Sequence, residues 1–197
     1  MHATHQISTI EQLEALYGQP GERARQKQSD HLDALCQRFI AAAPFMLFAS
    51  CGDAGTDCSP RGDQPGFVAV ADAHTLLIPD RAGNNRIDSL RNVITNPQVG
   101  LLFLIPGVTQ CLRVNGRASI SIEPALLTRF TVDDIAPKSV MVVRVEQAFV
   151  QCSRALLRSG LWRQDGVSQT LLQGDFIHLL EDKIGKSTES PNSSKPS

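Results

Sequence analysis

Two short segments gather the side chains best able to do chemistry in this 197-residue chain. The first is Asp57-Cys58-Ser59-Pro60-Arg61-Gly62-Asp63, and the second is Ile78-Pro79-Asp80-Arg81-Ala82-Gly83-Asn84-Asn85-Arg86. Each sets Arg among small, hydroxyl or amide residues beside an apolar run. Such groups suit a polar ring or a phosphate, and a guanidinium can meet phosphate oxygens through two parallel N–H bonds. In the second segment, Ile87, Leu90, Val93 and Ile94 recur at helical spacing and predict a helix over Asn84–Thr95, closed by Asn96-Pro97. Asn84, Asn85 and Arg86 then sit at its start, where the first N–H groups lack intrahelical partners and the helix dipole is positive. With Arg86 added, this is an anion site suited to phosphate, and Gly83 lets the backbone approach closely. The same residues also make an ordinary cap with a solvated Arg86, and spacing alone leaves both readings open. The first segment is equally open. Ser59, Arg61, Gly62 and Asp63 read as a strand end or loop offering hydrogen bonds, or as a surface turn made by Pro60 and Gly62.

No nucleophile constellation accompanies these segments: the sequence has no Gly-x-Ser-x-Gly and no Gly-x-x-x-x-Gly-Lys. The histidines (His2, His5, His31, His74, His178) are scattered, and His178 reads as a helix-surface residue. The five cysteines are odd in number and none has metal-finger spacing, so reduced thiols are expected, with neither a disulfide framework nor a structural metal. Cys152, near Arg154 and Arg158, reads as a low-pKa thiol or as a buried junction residue; the second is the expectation taken here.

Positioning the two segments falls to a strand-rich middle. The sequence predicts a short helix from Ser8 or Thr9 to Tyr17, a Gly/Pro/charged linker, and a helix after Asp30 as N-cap with a stripe of Leu32, Leu35, Cys36, Phe39 and Ile40. Strands are expected at Phe45–Cys51, Gly66–Ala71, Thr75–Pro79, Val99–Ile105, Cys111–Ile122 and Ser139–Val150, with a turn at Gly52-Asp53-Ala54-Gly55 and a bulge at Gly116. Short helices are expected at Glu123–Phe130, Ser153–Ser159 and Gln173–Lys183. About six strands with peripheral helices make an α+β, mainly β barrel. The expected organisation is an N-terminal helix and linker (1–28), a barrel domain (29–184) and a disordered tail (185–197).

Composition narrows the function classes. Lys and Arg total 19 against 20 for Asp and Glu, so no basic footprint for nucleic acid exists. No apolar run reaches the roughly 18 residues that span a bilayer. Met1–Pro20 lacks a basic-then-apolar leader pattern, which sets a cytoplasmic expectation without membrane or nucleic-acid partners.

The order of four blocks resembles the pyridoxamine 5′-phosphate oxidase-like flavoproteins. They are Asp57-x-Ser59-Pro60-Arg61-Gly62-Asp63; Ile78-Pro79-Asp80-Arg81-x-Gly83-Asn84-Asn85-Arg86-x-Asp88-Ser89-Leu90; Asn96-Pro97-x-Val99-Gly100-Leu101-Leu102-Phe103; and Leu112-Arg113-Val114-Asn115-Gly116-Arg117-Ala118. A fifth, Phe149-x-x-Cys152-x-Arg154-Ala155-Leu156-x-Arg158-Ser159-x-Leu161-Trp162, extends the likeness over roughly Ala43 to Trp162. The Ser-Pro-Arg-Gly-Asp and Gly-Asn-Asn-Arg blocks mark a subgroup. The resemblance implies an FMN-binding, Greek-key-like split β-barrel that dimerises and holds flavin mononucleotide at the subunit interface. It implies that Ser59, Arg61, Gly62 and Asp63 line the ring and ribityl chain, and that Ile78, Pro79 and Asp80 lie beside the ring. Asn84, Asn85 and Arg86 would lie near the phosphate, while Cys111, Arg113 and Trp162 would reach the flavin of the other subunit. The chain departs from true pyridoxamine-phosphate oxidases: Asn85-Arg86 stands where they have Arg-Lys, and no Arg-x-His block follows Trp162. That speaks against pyridoxamine phosphate as substrate. The implied function is an FMN-dependent oxidoreductase moving hydride or electrons between flavin N5 and an unidentified small molecule. Two other readings are a non-catalytic barrel that stores or senses flavin, haem or a deazaflavin, and a cofactor-free dimerisation scaffold.

Overall fold

The computed structural model describes residues 5–19, 21–22 and 27–163. The helix expected at 173–183, His178 and the tail at 185–197 lie outside the described residues.

Among the described residues, twelve elements follow in order: α1 (Ile10–Tyr17), α2 (Ala34–Ala42), β1 (Phe45–Gly52), β2 (Gly55–Gly62), β3 (Ala69–Asp72), β4 (Thr75–Pro79), α3 (Asp88–Thr95), β5 (Gln98–Leu104), β6 (Cys111–Ser121), α4 (Pro124–Arg129), β7 (Val140–Gln151) and α5 (Arg154–Ser159). The seven strands form one antiparallel sheet in the order β2-β1-β5-β6-β7-β4-β3. Strands β5, β6 and β7 run as a meander, and β4 lies beside β7, which is the Greek-key arrangement. The outer strands β2 and β3 do not pair with each other, so the barrel stays split. The fold is α+β, mainly β.

The core follows from strand periodicity, in which alternate side chains face the same side. Met46 and Phe48 of β1, Leu101 and Phe103 of β5, Leu112 and Val114 of β6, and Met141 and Val143 of β7 are all buried. The β-branched run of β7 fits this pleated, two-sided environment. Helix α2 packs on the core by burying Cys36, Phe39 and Ile40, with Leu32 just ahead of it. Burying Phe39 and Ile40 stabilises the fold by about 1.5–3 kcal/mol each. A bulge between Asn115 and Gly116 shifts the β6–β7 register. Any Cβ at Gly116 would collide with the Arg144 carbonyl oxygen, so glycine is required there.

Several expectations need correction. The N-cap of α2 is Asp33, whose Oδ1 accepts the Cys36 N–H at 2.8 Å; Asp30 pairs with His31 instead. Leu35 falls off the apolar stripe and is exposed. The strand expected from Gly66 begins only at Ala69, after a turn in which Phe67 N–H donates to the Gln64 carbonyl. The segment holding Ser59 and Arg61 is neither a turn nor a loop but a full edge strand, which tolerates Pro60 because an edge needs fewer N–H donors. Cys152 is exposed, not buried, at the β7–α5 junction.

Helix α3 departs most. It begins at Asp88, after Asn84, Asn85 and Arg86, and its buried residues are Ser89, Asn92 and Val93. Ile87 and Ile94 stand exposed. The inward face is polar because it meets polar partners: Asn92 Nδ2 donates to the buried Ser50 Oγ of β1 at 3.0 Å. Gly52 permits that approach, since a Cβ there would strike Asn92 and Thr95.

Candidate functional site

Strand β2 places Asp57, Ser59 and Arg61 on one face, alternating with exposed Cys58, Pro60 and Gly62. The Ser50–Asn92 clamp holds α3 against β1, and so brings Ser89 to this face of β2. The Ser89 and Ser59 hydroxyls both donate to Asp57 Oδ2, at 3.0 and 2.9 Å. Residues 80–90 and 135–138 complete a cleft of about 830 Å³. That volume lies within the range of cofactor pockets.

The cleft is lined by four cationic side chains, Arg61, Arg81, Arg86 and Lys138, and by three carboxylates, Asp57, Asp80 and Asp88. Most of these charges are engaged. Arg81 Nε donates to Asp63 Oδ2 at 3.0 Å and its Nη1 to the Phe130 carbonyl at 2.6 Å. Arg86 Nε donates to Asp88 Oδ2 at 2.8 Å, and Lys138 Nζ to Asn85 Oδ1 at 3.5 Å. Arg61 differs. Its Nε is buried and has no hydrogen-bond partner. An orphaned buried donor costs about 1–3 kcal/mol, and more when the group is charged.

The start of α3 has no side-chain cap, with the Asp88 carboxylate in its first turn. Ile87 caps the helix with φ 53° and makes no side-chain cap bond. Asn85 also has positive φ. A β-branched residue in the left-handed region costs about 1–3 kcal/mol, and such strain clusters where a ligand or switch needs the geometry.

The sequence-derived residues therefore divide into four groups. Ser59, Arg61, Asp80, Asn84, Asn85 and Arg86 share the cleft. Gly62 and Asp63 lie just past its wall, with Asp63 tied to Arg81. Ile78 and Pro79 are buried in β4 opposite Met141 and Val140, behind the cleft rather than in it. Cys111, Arg113 and Trp162 do not line this cleft. Cys111 is buried, and burial pushes its thiol pKa up. Arg113 lies over the Phe149 ring at 5.7 Å, and Trp162 Nε1 donates to the Val108 carbonyl at 2.8 Å. Near them is a second hollow of about 540 Å³, lined by Lys27, Asp33, Cys36, Gln110, Phe149 and Cys152 among others.

Asp57, Ser89 and Lys138 belong to the cleft but were not singled out as site residues from sequence. The signal for Asp57 was there, in the period-two spacing of Asp57, Ser59 and Arg61. Lys138 gives no local signal, because only the fold brings 135–138 to the cleft.

Comparison with known proteins bears on this architecture. The family model described as pyridoxamine 5′-phosphate oxidase matches residues 32–152. None of the curated proteins matches the sequence. Among solved structures, a HupZ variant from Group A Streptococcus is 19% identical with a TM-score of 0.50, covering 61% of this chain and 99% of its own. A candidate pyridoxamine 5′-phosphate oxidase from Lactobacillus delbrueckii is 17% identical, with a TM-score of 0.48 and coverages of 61% and 95%. The FAD binding protein from Mycobacterium smegmatis is 16% identical, with a TM-score of 0.42 and coverages of 61% and 95%. At these identities the first bears on the fold alone, and the other two are too distant to carry more. No described helix is long and apolar enough to cross a membrane.

Proposed function

Because this chain belongs to the pyridoxamine 5′-phosphate oxidase family, we propose that the cleft between β2 and α3 holds flavin mononucleotide, and that the protein is a homodimeric oxidoreductase. The observation that carries this reading is Arg61: a buried guanidinium nitrogen without an acceptor, on the wall of a cleft of cofactor size. A phosphate would supply the acceptor once the Arg61 side chain turns that buried nitrogen into the cleft. The uncapped start of α3, with Asn84, Asn85, Arg86 and Lys138 around it, supplies further donors and positive potential.

The residues present fit a phosphate joined to a hydroxylated chain. Ser59 and Ser89 both give their protons to Asp57, so their oxygens are left as acceptors for ligand hydroxyls. Asp57 holds the two hydroxyls in that orientation and repels a second anionic group. Arg61 and the α3 terminus fix the phosphate end, and the ligand is thereby oriented along the cleft. When bound, the flavin supplies hydride and electron transfer, chemistry that no side chain here provides. Cys111, Arg113 and Trp162 lie outside the cleft of one chain; in the proposed dimer they are the residues a second copy brings to the flavin.

The test is the absorption spectrum of the protein as isolated, followed by mass spectrometry of what it releases on denaturation. A flavin spectrum with FMN released is the expected result. A colourless protein that takes up no added FMN contradicts the reading. A haem or deazaflavin spectrum replaces the cofactor. Turnover of an electron acceptor with a nicotinamide reductant separates an enzyme from a storage module.

A further inference from the structure

The segment ahead of α2 is pinned to β7 and to the β3–β4 turn. Ser29 and Ala148 exchange backbone hydrogen bonds of 2.9 and 2.8 Å, and Leu32 N–H donates to the Ala73 carbonyl at 2.7 Å. This closure brings the rings of His31 and His74 to a centroid separation of 5.9 Å, inclined at 57°.

Each ring has its Nδ1 engaged. His31 Nδ1 lies 2.9 Å from Asp30 Oδ1 and 2.8 Å from Ser29 Oγ. His74 Nδ1 lies 3.2 Å from the Asp30 carbonyl oxygen. A carboxylate and a carbonyl only accept, so each Nδ1 carries a proton, and Nε2 is the ring nitrogen left to meet a metal ion. Neither Nε2 has a hydrogen-bond partner among the described residues, and both side chains are exposed. Metal-binding histidines are held in this way, with the second ring nitrogen donating to a carboxylate or carbonyl that fixes tautomer and orientation.

We propose that His31 and His74 form a two-imidazole site for a divalent transition ion of the zinc and copper class, with water completing its coordination. With metal–nitrogen bonds of about 2 Å, two imidazoles on one tetrahedral ion have ring centroids about 5 Å apart, so the two exposed rings, at 5.9 Å, would draw together by under about 1 Å on binding. Asp30 and Asp72 add negative charge beside the pair. Asp30 Oδ1 lies against His31 Nδ1, and Asp72 Oδ1 accepts the His74 backbone N–H at 2.7 Å. No group of three or more metal-ligating side chains occurs among the described residues, so the site is open and supplies two protein ligands. Imidazole ligands favour zinc, copper and nickel over magnesium and calcium. A bound ion would clip the lead-in of α2 to the β3–β4 turn, independently of the cleft at Arg61.

The experiment is calorimetric titration of the untagged, chelator-treated full chain with zinc(II), copper(II) and magnesium(II). One saturable site is expected, tighter for copper than for zinc and silent to magnesium. His31→Gln and His74→Gln should each weaken it by about 10²-fold, the gain that linking two ligands confers. Electron paramagnetic resonance of the copper form should show two imidazole nitrogens. Equal binding of magnesium, no saturable binding, or binding unchanged in both variants overturns the proposal. Should one variant fail to fold by circular dichroism, the other single variant and the resonance spectrum decide.

Discussion

Arg81 donates to the Asp63 carboxylate at 3.0 Å, and that pairing leaves Arg61, two residues earlier, with no carboxylate of its own. The two arginines face the same cleft and differ in role. Arg81, which also reaches the Phe130 carbonyl, ties the β2 end to the loop before α3 and to the end of α4. Arg61 keeps a buried Nε with no acceptor.

Arg61→Met should act in opposite directions on stability and binding. Removing the buried, unpartnered Nε of Arg61 should leave the ligand-free protein as stable or more stable, by up to about 3 kcal/mol. FMN affinity should fall about 10- to 100-fold, as expected for loss of a charged hydrogen bond. Arg86→Ala should weaken binding less, because Arg86 is already paired with Asp88 and its side chain is 74% exposed. Denaturant melts and fluorescence titrations of the two variants give the ranking. An Arg86→Ala loss exceeding that of Arg61→Met would reverse the assignment.

The Ser50–Asn92 contact sets the position of α3, so Asn92→Ala should reach the cleft indirectly. It orphans Ser50 and empties space beside Gly52, costing about 1–3 kcal/mol. Because Ser89 rides on the same helix, FMN affinity should also drop. Unchanged affinity in a folded variant would show that the helix position does not matter.

Asp33 makes one part of the stability depend on acid. The Cys36 N–H holds the Asp33 carboxyl below its ordinary value of 3.8, against a smaller opposing effect of burial. The folded pKa is therefore lower than the unfolded one. The charged cap contributes in full above the unfolded value and is lost as pH falls through the folded value. Asp33→Ala should cost about 1 kcal/mol at neutral pH. Asp33→Asn keeps an acceptor and should cost less there, with a flatter stability profile below pH 4. Equal acid slopes for wild type and Asp33→Asn would count against this cap.

All five cysteines are free, and they should separate sharply in reactivity. Burial pushes the Cys36 thiol up to about 11, and also raises Cys111. At pH 8 only about 10⁻³ of a thiol with that pKa is ionised. Alkylation followed by mass spectrometry should label exposed Cys58 and Cys152 first and reach Cys36 only on unfolding. Labelling of Cys36 as fast as Cys58 would contradict its burial.

Much of the barrel was legible in the sequence because its strands carry strong alternation and its turns carry Gly, Asp and Pro. Thr9 capping α1, the hairpin at 53–54 and the bulge at Gly116 are local signals that tertiary contacts reinforced. The start of α3 was not legible. Asn84 and Asn85 look like caps, but the chain turns through positive φ at Asn85 and Ile87 before the helix begins. Its inward face was also hidden, because Ser89 and Asn92 are buried by partners on β1 and β2 that periodicity does not reveal. For the cleft, residues on β2 and the following loop could be read locally, whereas Lys138 arrives only through the sheet order that sets β7 beside β4.

The most direct measurement is a paired fluorescence titration of wild type and Arg61→Met with FMN and with riboflavin, which lacks the phosphate. Wild type should bind FMN the more tightly, and Arg61→Met should erase most of that difference while leaving riboflavin binding nearly unchanged. If the two flavins bind wild type equally, or if the preference for FMN survives in Arg61→Met, then Arg61 is not the phosphate contact and the cleft has been assigned the wrong ligand.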